Sequence, residues 1–292
     1  MSNCFVVSLT LCLFAGSTAR LVADAAPFAG FADLAFTNGH ATLAWPAATR
    51  ANRVTILPHN GAAISELDYC LTRDGKVCAA WTEATPDDSD IYAQLFNPDG
   101  TPRWGEDAVS VIQFRGHQRG PRVAPALDGG VFVVWESDSA GTNNVNLWCQ
   151  RILPNGRLVW EIPVPICTHP GRQGAVAVAP DPEGGIIVTW EDYRNGNADI
   201  YGQRIEYDGS PLDQEDGVEI EVAPGDQTDI RFVYNDLGRP VSLQWYDHRP
   251  GFDTPVRVET DLAALPIPEP VVSPLFLLPA LLLLLRRRSP VR

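Results

Sequence analysis

Ile186-Ile-Val-Thr-Trp190-Glu-Asp-Tyr-Arg194-Asn-Gly-Asn-Ala198-Asp-Ile-Tyr-Gly-Gln-Arg204-Ile205 reads as two strands and the loop between them. A β-branched apolar run closes on a tryptophan, Asp, Asn and Gly mark a turn, and an alternating run follows. The same phrase recurs in both directions along the chain. Tryptophans stand at Trp45, Trp81, Trp135, Trp190 and Trp245, separated by 36, 54, 55 and 55 residues. Each ends a strand-like run: ATLAW, VCAAW, VFVVW, IIVTW and VSLQW. DIYAQLF (Asp90 to Phe96), NLWCQRI (Asn146 to Ile152) and DIYGQRI (Asp199 to Ile205) follow three of them. Turns at Asn97-Pro-Asp-Gly100, Pro154-Asn-Gly156 and Asp208-Gly209 come next, and then Gln118, Gln173 and Gln227 open a further apolar stretch.

A unit of this kind holds four short strands, and four-stranded units of ~40–50 residues are the signature of a β-propeller. No helical period interrupts residues 27–266. The expected fold is therefore all-β: five four-stranded blades, closed by N- and C-terminal strands and followed by an apolar C-terminal helix. The nearly continuous apolarity of Val131-Phe-Val-Val-Trp135 suggests a strand buried on both faces, innermost in its blade. On that assignment the blades are 39–74, 75–129, 130–184, 185–238, and 239–262 completed by 28–37. Such a ring leaves no open sheet edge.

Trp190-Glu-Asp-Tyr-Arg194 with Asp199-Ile-Tyr-Gly-Gln-Arg204, Trp245-Tyr-Asp-His-Arg249 and Asp90-Ile-Tyr-Ala-Gln94 resemble the repeats of a family of secreted bacterial proteins bearing Trp-x-Asp-x-Arg and Asp-Ile-Tyr-Ala-Gln-Arg. The resemblance spans roughly residues 75–260 and implies a propeller-like fold without an assigned chemistry. The sialidase Asp-box is not met by Asp99-Gly100-Thr-Pro-Arg-Trp104.

The two ends carry addresses. Phe5 to Gly16 is an apolar run of signal-peptide length, with Ser17-Thr-Ala19 and Ala23-Asp-Ala25 as cleavage sites, so residues 1–25 are read as a signal peptide. Residues 26–262 form the repeat domain, 263–270 a proline-rich linker, and 271–292 an apolar segment with a basic tail. Val271 to Leu285 would span about 22 Å as a helix at ~1.5 Å per residue, short of a hydrocarbon core of ~30 Å. Pro268-Glu269-Pro270, the apolar stretch and Arg286-Arg287-Arg288 together resemble the PEP-CTERM sorting signal of Gram-negative bacteria, with Ile267 where valine is commoner. The resemblance implies an exosortase-type partner, transient membrane engagement, cleavage near Pro268–Pro270, and a destination at the cell surface or in the extracellular matrix.

The net charge is −14, and removing both ends takes five arginines and one aspartate to leave −18. Such acidity argues against nucleic acid and anionic membrane surfaces as partners. Cys70, Cys78, Cys149 and Cys167 lack zinc-site spacing; in an oxidising compartment they are disulfide candidates, Cys149 with Cys167 before Cys70 with Cys78, or else buried thiols.

Glu83, Glu136, Glu191, Asp192 and Asp247 follow the tryptophans and are the carboxylates a propeller glycosidase could use. They recur with the repeat, however, whereas a catalytic group is needed once per site. Asp192, Asn195, Asn197 and Asp199 offer oxygens for Ca²⁺ but lack the EF-hand pattern, and serve equally as turn residues. Trp104, Trp148 and Trp160 fall outside the main tryptophan register and are binding-surface candidates. The expectation is a non-enzymatic binding or structural module without a cofactor, its partner a polysaccharide or an envelope protein. The alternative is a propeller glycoside hydrolase or lyase.

Overall fold

The structure, a computed structural model, describes residues 6–7, 33–45, 52–59, 61–138, 144–212, 214–251 and 254–267. The described chain is all-β; its one helical element is the 3-10 turn Leu262–Ala264. The C-terminal apolar segment and the sorting residues Pro268, Glu269, Pro270 and Arg286–Arg288 lie outside the described residues. Among the described residues no helix is long and apolar enough to cross a membrane.

Strand β1 (Val6–Val7) pairs with β5 (Ala63–Leu71). The remaining strands form five antiparallel units. The first comprises β2 (Asp33–Thr37), β3 (His40–Trp45) and β4 (Asn52–Ile56). The second is β5, β6 (Val77–Ala84), β7 (Ser89–Phe96) and β8 (Val109–Ile112). The third is β9 (His117–Pro125), β10 (Val131–Asp138), β11 (Asn146–Ile152) and β12 (Val164–Cys167). The fourth is β13 (Gln173–Pro180), β14 (Ile186–Asp192), β15 (Asp199–Ile205) and β16 (Val218–Glu221). The fifth is β17 (Gln227–Tyr234), β18 (Pro240–Asp247) and β19 (Val256–Asp261).

Strands β5, β9, β13 and β17 lie side by side in succession, and each sheet extends away from that row. The tryptophan-ended strand is thus second in its sheet, not innermost. Its apolarity reports burial on both faces, which a central strand between two flanking sheets achieves as well as an innermost one. The sheet boundaries accordingly shift by one strand from the expected blades. Among the described residues the expected closure is not formed: β2 pairs with β3, and β19 with β18. The cause is local. Asn38 (φ 52°) and Gly39 (φ 78°) form a two-residue turn between Thr37 and His40, which commits β2 to the hairpin that follows it.

Apolar side chains fill each gap between successive sheets. Trp45, Leu67 and Trp81 pack between the first and second, and Val123, Val133 and Trp135 between the second and third. Phe132, Val178 and Trp190 fill the next gap, with Ile187, Phe232 and Trp245 in the last. Tyr234, at the end of β17, also packs against the cluster holding Cys70 and Val123, so the fifth sheet reaches the second.

The repeat's polar signature is scaffold. Gln150 accepts from the Trp160 amide (3.2 Å) and donates to the Trp160 carbonyl (2.8 Å), fixing the loop after β11; Gln94 accepts from the Trp104 amide (3.0 Å). The next residue in two repeats, Arg151 or Arg204, pairs with Asp128 (2.7 Å) or Asp181 (2.6 Å) from the turn after the inner strand. Trp104 Nε1 then donates to the Pro154 carbonyl (3.1 Å) and Trp160 Nε1 to the Asp208 carbonyl (3.0 Å). Each of these two indoles therefore clasps the glycine turn of the following sheet.

Candidate functional site

Two polar arrangements recur on the face where inner strands begin and tryptophan strands end. The first surrounds the tryptophan. In the fourth sheet Trp190 Nε1 donates to Asp192 (2.9 Å), which also takes Arg194 Nε (2.9 Å); the guanidinium lies 4.0 Å from the Tyr201 ring centre. Burial alone would raise the Asp192 carboxyl, but hydrogen bonds from Arg194 and Trp190 outweigh it and hold it below the usual value. In the second sheet Glu83 takes Trp81 Nε1 (2.9 Å) and His59 Nδ1 (2.9 Å), and the imidazole stacks on Tyr92 with centroids 4.8 Å apart. In the fifth, Asp247 and Glu221 both hold Arg249. The third sheet has Ser137 at this position and Trp148 where its neighbours have Tyr92 and Tyr201.

The second arrangement links inner strands. β9, β13 and β17 each bulge near their start at a residue with positive φ: Gly120 (59°), Ala175 (49°) and Asp229 (59°). The amide of each tip donates to a glutamate of the preceding sheet: Gly120 to Glu66 (2.5 Å), Ala175 to Glu136 (3.1 Å), and Asp229 to Glu191 (3.0 Å). Burial pushes the Glu136 carboxyl up; the Arg119 and Arg122 charges oppose it and that of Glu66 adds to it.

Between β13 and β17 opens a cavity of about 460 Å³, lined by Ala175, Glu191, Asp229, Arg231 and Tyr234 among others. Burial raises the Glu191 carboxyl; the Asp229 amide, Tyr193 hydroxyl and Arg172 charge oppose this, and the Asp229 charge reinforces it. Asp229 itself is exposed. Arg231 Nε donates to Gln244 Oε1 (3.3 Å). Tyr234 lines another part of the cavity, its hydroxyl pushed up by burial and by Asp68 and Cys70. A carboxyl biased toward its protonated form thus stands beside an exposed aspartate in a polar cavity.

The candidates from the sequence separate accordingly. Glu83, Asp192 and Asp247 hold neighbouring side chains, Glu136 holds a bulge, and Glu191 both holds a bulge and faces the cavity. In the suggested Ca²⁺ loop, Asp199 accepts from Asn195 (2.9 Å) and Asn197 (2.9 Å), while Asp192 is engaged by Arg194. Among the described residues no cluster of three or more His, Cys, Asp or Glu is placed to hold a metal. Trp104 and Trp160 are inter-sheet clasps; Trp148 lines a pocket. Cys70, Cys78, Cys149 and Cys167 are buried and form no disulfide. Cys149 and Cys167 lie on paired strands but out of register, since Cys149 faces Val164 and Cys167 faces Leu147.

Asp229 was not among the sequence candidates, although a signal was present. Two positions after the marker glutamines stand Gly120, Ala175 and Asp229, and only the last carries a charge.

No protein-family model and no curated protein matches this chain. Similar solved structures include an endo-arabinase from Bacteroides thetaiotaomicron, 10% identical with a TM-score of 0.44, covering 85% of this chain and 98% of that one. An α-L-arabinanase from Penicillium chrysogenum, complexed with arabinobiose, is 12% identical with a TM-score of 0.46, covering 88% and 82%. A family 117 glycoside hydrolase from the marine bacterium Zobellia galactanivorans is 12% identical with a TM-score of 0.44, covering 88% and 89%. The expectation of a non-enzymatic module is corrected by these neighbours, which are glycoside hydrolases, and it is withdrawn. At such distances their substrates do not transfer to this chain, and its chemistry rests on the cavity.

Proposed function

We propose that the chain is an exported glycoside hydrolase, built as a five-bladed β-propeller and acting on extracellular polysaccharide. One observation carries the reading: the repeat is broken at Asp229, which adds an exposed carboxylate beside the buried carboxyl of Glu191 in an open cavity. Glycosidic hydrolysis uses two carboxyl groups, one held protonated and one ionised. Glu191, biased toward its protonated form, gives its proton to the leaving glycosidic oxygen as the C–O bond breaks. Asp229, the exposed second carboxyl group, assists attack at the anomeric carbon, and water supplies the hydroxyl that completes the product. Arg231 lines the same cavity as a positive group for orienting the sugar.

The propeller reading is supported by five successive sheets, four of them with inner strands side by side, and by Tyr234 reaching the second sheet. Export and envelope sorting are supported by the apolar N-terminal run and by the order of Pro268–Pro270, apolar stretch and Arg286–Arg288. The test is release of reducing ends from a panel of polysaccharides. Glu191→Gln and Asp229→Asn should each lower turnover about 10²-fold or more with little change in melting temperature. Wild-type rates in both variants would refute the assignment. Mass spectrometry of the envelope protein addresses sorting: a chain ending near Pro270 supports it, and an intact C-terminus removes it.

A further inference from the structure

Among the described residues, a charged or imidazole side chain fills the slot beside the repeat tryptophan in three sheets and none does in the third. Arg194 fills it in the fourth sheet, between the Tyr201 ring and Cys167 at the end of the preceding sheet's β12. His59 fills it in the second, stacked on Tyr92 and held by Glu83. Arg249 fills it in the fifth, between Asp247 and Glu221 at the end of β16. In the third sheet the acid is replaced by Ser137, and what remains is a pocket of about 120 Å³. Its wall repeats the pattern: Trp135, Ser137, Trp148 in place of the tyrosine, and Ile112 at the end of β8, where the other slots have Cys167 and Glu221. Phe114 and Ile162 form the rim and are 62% and 75% exposed.

The geometry points to a surface subsite for a neutral sugar residue of a polysaccharide, stacked on Trp148 and Phe114. This deepens the proposed function and rests on it for the substrate class. The net charge of the chain is −14, yet the described residues lining the slot carry neither a counter-ion for a cation nor a cation for an acidic polymer. The apolar C–H face of a sugar matches an indole, and the Ser137 hydroxyl remains beside it to meet a ring hydroxyl. A volume of about 120 Å³ takes one face of one ring, so a polymer would lie across the opening rather than thread into it. The slot opens on the same face as the cavity of Glu191 and Asp229, where one chain could engage both.

The test is affinity electrophoresis of the exported protein through gels containing arabinan, xylan or dextran, with alginate as the acidic control. At least one neutral polymer should retard the wild type, and Glu191→Gln should be retarded equally. Trp148→Ala should weaken binding at least about fivefold, and Trp148→Tyr should restore part of it. Ile162→Asp, at a side chain 75% exposed, tests the rim without disturbing the core and should also weaken retardation. Hydrolysis of a small chromogenic glycoside, too short to reach the slot, should be lost in Glu191→Gln and unchanged in Ile162→Asp and the two Trp148 variants. Retardation that depends on Trp148 without any hydrolysis by the wild type would sustain the subsite and sink the cavity assignment. Hydrolysis with retardation insensitive to Trp148 and Ile162 would overturn the subsite, as would retardation by no neutral polymer. Self-association lost in Trp148→Ala would give the slot to a second copy of the chain and likewise overturn it.

Discussion

Two Asp-Gly turns allow the clasp between sheets to be measured. Gly75 and Gly209 both follow aspartate and both have positive φ, 79° and 97°. A Cβ built on Gly75 meets nothing within 4 Å, whereas one on Gly209 would lie 2.6 Å from Trp160 Cζ2 and 3.0 Å from Val164 Cγ2. Gly75→Ala should therefore cost only the left-handed backbone, about 1–2 kcal/mol. Gly209→Ala adds overlap with a half-buried indole whose Nε1 is anchored to Asp208, a further ~1–3 kcal/mol. For a domain of this size 1 kcal/mol shifts the melting temperature by about 2–4 °C, so the two variants should differ by several degrees. Urea and thermal unfolding of both, together with Trp160→Ala and the Trp160→Ala/Gly209→Ala double variant, complete a cycle. With the indole gone, the cost of Gly209→Ala should fall toward the Gly75→Ala value, the Val164 contact at 3.0 Å accounting for any remainder. Equal losses in the two single variants, or an undiminished loss in the double one, would refute the clasp.

Hydrolysis should fall as pH rises through the raised value of Glu191; a rate profile without that alkaline limb would count against Glu191 as the acid. Glu136 is likewise raised, so its contribution to folding is fully present below its unfolded value of ~4.3 and lost as pH rises through the folded value. Glu136→Gln, which keeps an acceptor for the Ala175 amide, should gain melting temperature relative to wild type between pH 4 and 8; a constant difference would contradict this. Asp192→Ala strands a largely buried Arg194 and should cost roughly 3–5 kcal/mol by chemical unfolding. Because the Asp192 carboxyl is lowered, its stabilisation should be present above ~3.9 and fade as pH falls through the folded value. Burial pushes the Cys167 thiol up to about 12 and raises Cys78 and Cys149 too, so Ellman's reagent should find no reactive thiol in the folded domain and four after unfolding; fewer than four would restore a disulfide.

The repeat was legible because several markers do the same work in more than one sheet: Gln94 and Gln150 both accept from the amide of the tryptophan in the loop that follows, and the Gly156 and Gly209 turns are both clasped by an indole. Strand order within a sheet was not legible, since VFVVW is equally apolar whether innermost or merely enclosed between two sheets. The fate of residues 33–37 was written in Asn38-Gly39, but turn geometry competed with a search for a closing strand. Recurrence pointed to ion pairs with Arg194 and Arg249, and Asp192 and Asp247 form them. It could not show that Glu191 faces a cavity, because that depends on the side chain carried by the next sheet at Asp229.

The bulge tips have a consequence for how such a chain can change. Each tip is secured by its amide hydrogen, which every residue but proline supplies, so the preceding glutamate grips the main chain and is blind to what the tip displays. Gly120, Ala175 and Asp229 occupy equivalent seats with similar φ. Left-handed backbone favours Gly, Asn and Asp, and two of those three can enter chemistry. The three tips are a set of interchangeable sockets along the row of inner strands, where a lineage can plug in or withdraw a reactive group while the grip on the backbone stays in place.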